Sequence, residues 1–229
     1  MRECIEGIAF DLDGTLYPNY RFNLRLLPFI IKEARLLSAF GKARSIIRKE
    51  QKEADTIQIK DFYTYQAEIT GKLLSIPSMQ MKEKIDSMIY KGWEPLFKKI
   101  KLYKNVIEVL NELKKAGFKL GLLSDFPPET KLENLGLSGI FDAVLCSERS
   151  GTLKPHPLSF KELASAMGMP CEKILYAGNS LSYDIAGAAG AGMKTAWVKS
   201  PLIPGNGLKK IKPDFSFASY RQLLRIMIR

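Results

Sequence analysis

This 229-residue sequence predicts an α/β fold: a doubly wound parallel sheet with helices on both faces, interrupted near its start by an all-helical insertion. Three observations predict it. From about residue 100 onwards, short β-type apolar runs alternate with helical segments. One further β-type run, Ile5 to Phe10, stands alone near the start. Between the two, residues from about 18 to 98 hold few β-branched runs, many Lys, Glu and Gln, and apolar residues at helical spacing.

Ile5 to Phe10 reads as a short strand that ends in a cluster of acids and glycine. In the insertion, Leu24, Leu27, Ile31 and Ala34, then Phe62, Tyr65, Ile69 and Leu73, recur every three or four residues, which predicts a small helical bundle. Pro77 marks a turn there, with Ser78 as cap of the helix that follows. Asn105 to Ala116 is an amphipathic helix stopped by Gly117, and Phe118 to Leu123 a strand. Glu129 to Leu135 is a short helix stopped by Gly136, Ala143 to Cys146 a strand, and Leu158 to Met167 a helix stopped by Gly168. Ile174 to Ala177 is a strand, followed by an Ala- and Gly-rich helix from Tyr183 to Ala191. Thr195 to Val198 and Phe215 to Phe217 are further strands, separated by a basic Pro/Gly loop from Ser200 to Lys212.

Composition narrows the function. A hydrophobic fraction of 46% and a charged fraction of 26% exclude disordered, collagenous and coiled-coil chains. Three cysteines, Cys4, Cys146 and Cys171, make no disulfide framework and no zinc spacing, and Cys4 and Cys146 read as buried small hydrophobes. A single histidine, His156, leaves little room for His-based metal or triad chemistry, and it reads as a turn residue. The N-terminus lacks the features of a signal peptide, and the longest apolar cluster, Leu26 to Ile31, is far too short to span a membrane. The expectation is a reduced, cytoplasmic protein without a membrane partner. The unusual number is the net charge of +11, which suits a nucleic acid, an anionic surface, a phosphorylated substrate or mere solubility.

A parallel sheet gathers its ligands at the carboxyl ends of its strands. The first strand is followed there by Asp11-Leu12-Asp13-Gly14-Thr15, and the second by Ser124-Asp125. Lys154-Pro155 precedes the helix after the third strand, and the fourth is followed by Gly178-Asn179 and then Asp184. Asp11, Asp184 and Asn179 can offer oxygens to a hard divalent cation, while Ser124 and Lys154 can hold phosphoryl oxygens. An aspartate can act as nucleophile, and a carboxyl two residues on as general acid and base. Alternation places Asp11 and Asp13 on one side of an extended segment, and Gly14 lets the chain turn after them.

FDLDGTLYP (10–18) matches the motif hhhDxDGT, LLSD (122–125) a second, and LKP (153–155) with the upstream SERSGT a third. YAGNSLSYD (176–184) is similar to a fourth. In these residues, and in their order along the whole chain, the sequence resembles the haloacid dehalogenase superfamily in its phosphatase branch. The resemblance implies a Rossmann-like core from residues 1–16 and 101–229, with a helical cap over 17–100. It implies Asp11 as nucleophile, Asp13 as general acid and base, and phosphate binding by Ser124 and Lys154; Asp125 beside them reads as offering its backbone N–H, rather than its carboxylate, to phosphate. It implies Mg²⁺ as cofactor, held by Asp11, the Asp13 carbonyl, Asn179 and Asp184. One departure stands out: the family usually has Gly-Asp where this chain has Gly178-Asn179, which removes one negative charge from the metal set.

The expected activity is therefore hydrolysis of a small phosphorylated metabolite through an aspartyl-phosphate. Alternatives are a phosphotransferase, a phosphomutase or a haloacid dehalogenase of the same superfamily, or a non-catalytic anion- or RNA-binding protein. Tyr17, Asn19, Tyr20 and Arg21, just after the catalytic loop, are the candidates for substrate specificity. The helical face Arg44, Arg48 and Lys52 reads as solvated rather than as a nucleic-acid site. Residues 17–100 carry 16 Lys and Arg against 9 Asp and Glu, a net +7, so most of the surplus charge sits on the insertion. That favours steering of a phosphorylated small molecule over nucleic-acid binding.

Overall fold

The computed structural model describes residues 5–53, 58–199 and 211–228. Cys4 and most of the predicted loop from Ser200 lie outside the described residues. The sheet comprises β1 (Gly7–Phe10), β2 (Lys119–Ser124), β3 (Ala143–Cys146), β4 (Ile174–Gly178), β5 (Lys194–Val198) and β6 (Phe215–Phe217). All described pairings are parallel, in the order β3-β2-β1-β4-β5-β6. From β1 the chain builds outwards through β2 and β3, then crosses back to lay β4, β5 and β6 on the other side. The crevice of such a sheet opens where the direction reverses, between β1 and β4 at their carboxyl ends. Phe10 pairs with Leu122 of β2 and with Ala177 of β4, so the residues after these three strands emerge together.

The helices are α1 (Asn19–Glu53), α2 (Phe62–Leu74), α3 (Ser78–Ile85), α4 (Gly92–Phe97), α5 (Val106–Lys115), α6 (Glu129–Asn134), α7 (Pro157–Ala166), α8 (Ala186–Gly190) and α9 (Tyr220–Ile228). Both faces of β1 are dry. Ile8 and Phe10 point to a layer of Val109, Leu110 and Leu113 from α5 and Leu223 from α9. Ala9 points the other way, toward Phe160 and Leu163 of α7 and Tyr176 of β4. Each large side chain buried this way contributes about 1.5–3 kcal/mol.

The helical bundle follows β1, as the spacing predicts, but its first helix is not oriented as the apolar stripe suggests. α1 leaves helical geometry at Glu33 (φ −119°, ψ 30°), with Pro28 upstream. Beyond the bend it buries Leu36, Phe40, Ala43 and Ile47 against the rest of the molecule. Before it, Leu24 and Ile31 are 60% and 82% exposed, and Leu27 is exposed as well. Helical period alone reports the periodicity of a face, not which neighbour covers it. Ser78 is not the expected cap: it is the first residue of α3, Pro77 occupies the cap position, and no side chain caps there. The helix after β4 begins early, in a π-helical turn (Leu181–Ile185) that runs into α8. α9 is an addition to the sequence reading, although Tyr220, Leu223 and Met227 sit on its buried face at the expected spacing. Among the described residues, no helix is long and apolar enough to cross a membrane.

Candidate active site

Asp11 leaves the end of β1 and is 5% exposed. Its backbone N–H donates to Ala177 O, which ties the loop to β4. Its carboxylate accepts from Lys154 Nζ at 2.5 Å and from the Thr15 hydroxyl at 2.7 Å. The loop then turns through Gly14, at φ +91°. A Cβ there would strike the side-chain amides of Asn179 and Asn19, so both the turn and the approach of Asn179 require glycine. From the far end of the chain, Tyr220 Oη donates to Thr15 O at 2.6 Å and pins the same loop.

Lys154 is 4% exposed and bridges Asp11 and Asp184, reaching the latter at 2.7 Å. Asp184 also accepts from the Ser180 N–H at 3.0 Å. Gly178 makes that approach feasible, since a Cβ there would collide with the Asp184 carboxyl. Burial works against the Lys154 charge, but Asp11 and Asp184 outweigh it and hold the ammonium protonated. Burial, reinforced by Asp184, pushes the Asp11 carboxyl above its ordinary range although Lys154 pulls it down. The cluster is thus short of positive charge. The Ser124 hydroxyl, at the end of β2, is buried and has no hydrogen-bond partner. Asp11, Asp13, Asp125, Lys154, Asn179 and Asp184 line one pocket of about 300 Å³.

Asp13 points to the outer side of this pocket. Its carboxylate accepts from Tyr17 Oη and, at 2.6 Å, from Lys131 Nζ on α6. Burial and Asp13 raise the Tyr17 phenol well above its ordinary range, so it remains a donor. Lys131 did not figure among the sequence candidates. It lies 118 residues from Asp13, in a helix with no motif of its own.

Asp125 does not direct its carboxylate at the pocket. One oxygen accepts from Ser147 Oγ at 2.5 Å and from the Lys154 N–H at 3.0 Å, and the other from Arg48 at 2.8 Å and Arg44 at 3.4 Å. Burial raises its carboxyl, but Arg44, Lys154 and Arg48, with the Ser147 hydrogen bond, outweigh burial and hold it at about 2. The expectation of a solvated Arg44–Arg48 face is therefore overturned. Arg44 is buried and also donates to Glu148 and, at 3.1 Å, to Gln66; Arg48 Nε donates to Lys154 O at 2.9 Å. Only Lys52, at the end of that row, faces solvent. The row faces core carboxylates contributed by loops after β2 and β3, and no pattern local to α1 reports them.

The four specificity candidates separate. Asn19 lines the pocket. Tyr17 is buried beneath Asp13 and serves its orientation rather than contact with substrate. Tyr20 is exposed against Arg21, and Arg21 donates to Lys101 O at 2.9 Å, where the chain returns from the insertion, so neither lines the pocket. His156 caps α7, accepting from the Leu158 N–H at 3.3 Å. Cys146 is buried at the end of β3.

Asp11, Asp184, the Asn179 amide and the Asp13 carbonyl are an oxygen donor set of the kind a hard cation takes. The surplus of carboxylates over ammonium in the cluster fits such an ion. Among the described residues, no group of three or more His, Cys, Asp or Glu is placed to hold a metal ion.

The chain is 27% identical over 236 residues to a glyceraldehyde 3-phosphate phosphatase of Methanopyrus kandleri, covering 97% of each. To the protein of that name from Methanocaldococcus jannaschii it is 31% identical over 202 residues, 83% of each. Its fold superposes on that of an L-2-haloacid dehalogenase with a TM-score of 0.69 at 21% identity, over 98% of this chain and 99% of the other. The family profile matches residues 5–192, from before β1 to the end of the α8 turn, and the chain belongs to the haloacid dehalogenase-like hydrolases.

Proposed function

We propose that this protein is a Mg²⁺-dependent phosphatase that hydrolyses a small phosphorylated metabolite through an aspartyl-phosphate formed on Asp11. The carrying observation is the buried Asp11 carboxylate held by Lys154 at 2.5 Å, in the same pocket as a second carboxyl, Asp13. Asp11 attacks phosphorus, Asp13 gives a proton to the leaving oxygen, and Asp13 then takes a proton from the water that cleaves the acyl phosphate. Lys154 and the unpartnered Ser124 hydroxyl hold phosphoryl oxygens meanwhile. Asp11, Asp184, Asn179 and the Asp13 carbonyl would hold Mg²⁺, which when bound supplies positive charge against the carboxylates and phosphate. Residues 17–100 act in this reading as a cap over the pocket.

The presence of Asp13 supports phosphate transfer to water over dehalogenation, which has no leaving alkoxide to protonate. The names of the two archaeal relatives make glyceraldehyde 3-phosphate the first compound to assay. Phosphate release in the presence of Mg²⁺ is expected from the wild type, and a loss of at least about 10³-fold in Asp11→Asn. Equal, negligible release from both proteins across a metabolite panel and all divalent metals overturns the reading. Halide release from haloacids without metal replaces it with dehalogenation.

A further inference from the structure

A cavity of about 510 Å³ opens between the α3–α4 end of the insertion and the loop after β2. Aromatic rings supply much of its wall, Tyr63, Tyr90, Trp93 and Phe97 from the insertion and Phe126 from the core, with charged residues such as Lys82, Asp86 and Glu94 also lining it. These rings brace one another, Phe126 lying 5.9 Å from Trp93 and 6.0 Å from Tyr90 between centroids. Asp11, Lys154 and Asp184 do not line it. Two residues connect it to them. Phe126 lines both this cavity and the pocket of Asp11 and Asp13. Lys131 lines the cavity and reaches Asp13 at 2.6 Å, its ammonium 5.1 Å over Phe97 and 5.0 Å over Phe126.

We propose that this cavity receives the leaving-group part of the phosphate ester, and that the part it takes is aromatic or bulky and apolar. The inference rests on the phosphatase reading. Asp13 protonates the leaving oxygen, so the leaving group lies on the Asp13 side of phosphorus, where Lys131 and Phe126 stand. The cavity falls in the range of small-molecule sites, roughly 300–1,000 Å³. A short polyol chain would leave its ring faces wet, whereas a flat hydrophobic group expels that water and stacks on them. Trp93 carries a buried Nε1–H without a hydrogen-bond partner, its indole packed between Phe22, Phe29 and Phe126 and against the apolar cluster of the insertion.

Ethyl phosphate and naphthylethyl phosphate share a primary alkoxide leaving group, so a difference between them reports binding rather than leaving-group chemistry. With Mg²⁺ and the wild-type protein, kcat/KM is expected to be at least about tenfold higher for the naphthylethyl ester. The ratio should collapse toward unity in Thr130→Trp, which fills the cavity from α6. Naphthylethanol alone should compete with ethyl phosphate and alter tryptophan emission, the latter change being lost in Trp93→Phe. Equal kcat/KM for the two esters overturns the subsite and leaves the phosphatase reading intact. A naphthyl preference that survives in folded Thr130→Trp also overturns it. If that variant does not fold, failure of naphthylethanol to compete decides against the cavity. No phosphate release from either ester or from glyceraldehyde 3-phosphate overturns the phosphatase reading itself, and the subsite with it.

Discussion

Asp13 takes its orientation from two residues that differ in how visible they are. Tyr17 lies four residues on in the same motif and donates from below, while Lys131 comes from α6 and closes the outer side. Removing the carboxyl in Asp13→Asn should lower kcat by about 10²–10⁴-fold, the usual contribution of a general acid. Lys131→Met leaves the carboxyl in place but frees it, so the loss should be smaller, and steady-state kinetics on both variants checks the order. A larger loss in Lys131→Met would mean that the ammonium touches substrate directly. That Asp11, Lys154, Asn179 and Asp184 meet in one pocket was legible because each falls inside a motif in the segment that follows a strand. Lys131 was not, since a lysine in a short helix carries no local sign of the carboxylate it meets. Asp125 was legible as a position but not in its role, because Arg44 and Arg48 arrive from the other half of the molecule to claim its carboxylate.

At the scale of elements, α1 is two helices with different duties. Its first segment presents Leu24, Leu27 and Ile31 outward, and its second drives Arg44 into the core loops. The Arg44 guanidinium lies over the Phe126 ring at 4.3 Å, and Arg48 lies over Tyr183 at 4.4 Å, so both arginines are packed as well as paired. Tyr90 donates to Glu148 at 3.0 Å, adding a second insertion residue to this carboxylate. Arg44→Met strips the buried Glu148 of its cation, while Asp125 keeps Arg48, and should cost about 3–5 kcal/mol of unfolding free energy in urea titration. Replacing Glu148 by Gln in the same chain should recover part of that loss. A near-neutral Arg44→Met would show that the guanidinium reaches water in solution. The existence of the insertion was legible from its composition. Which of its faces is buried was not, because an amphipathic stripe looks the same whether a neighbour covers it or water does.

For the whole molecule, charge acts in two places at once. The insertion carries most of the surplus, yet Arg44 and Arg48 are spent on core carboxylates, so its long-range field comes from its exposed lysines with Arg25 and Arg35. If those steer a phosphate dianion, raising ionic strength should lower kcat/KM while kcat stays level, because screening weakens capture and not the bound chemistry. The Asp125 cluster makes one pH-dependent contribution to stability. Its carboxyl is held at about 2 against an ordinary value of 3.8, so its stabilisation is complete above the ordinary value and is lost as pH falls through the folded one. The amount is about 2 kcal/mol. Burial raises the neighbouring Glu148 carboxyl, whose contribution has the opposite sign. The stability gap between wild type and Asp125→Asn should therefore shrink between pH 4 and pH 2, and chemical denaturation at each pH measures it. The sequence by itself determined the alternation of strands and helices, the place of the insertion and the polar motifs that follow the strands. Those depend on period, on turn chemistry and on residues that must stand at strand ends. Only the tertiary structure decided which helix faces are buried, that Lys131 meets Asp13, that Arg44 and Arg48 lock the insertion to the core, and that an aromatic cavity adjoins the pocket. Each of these is a meeting of residues far apart in the chain, and proximity of that kind arises from packing, which leaves no mark on either segment alone.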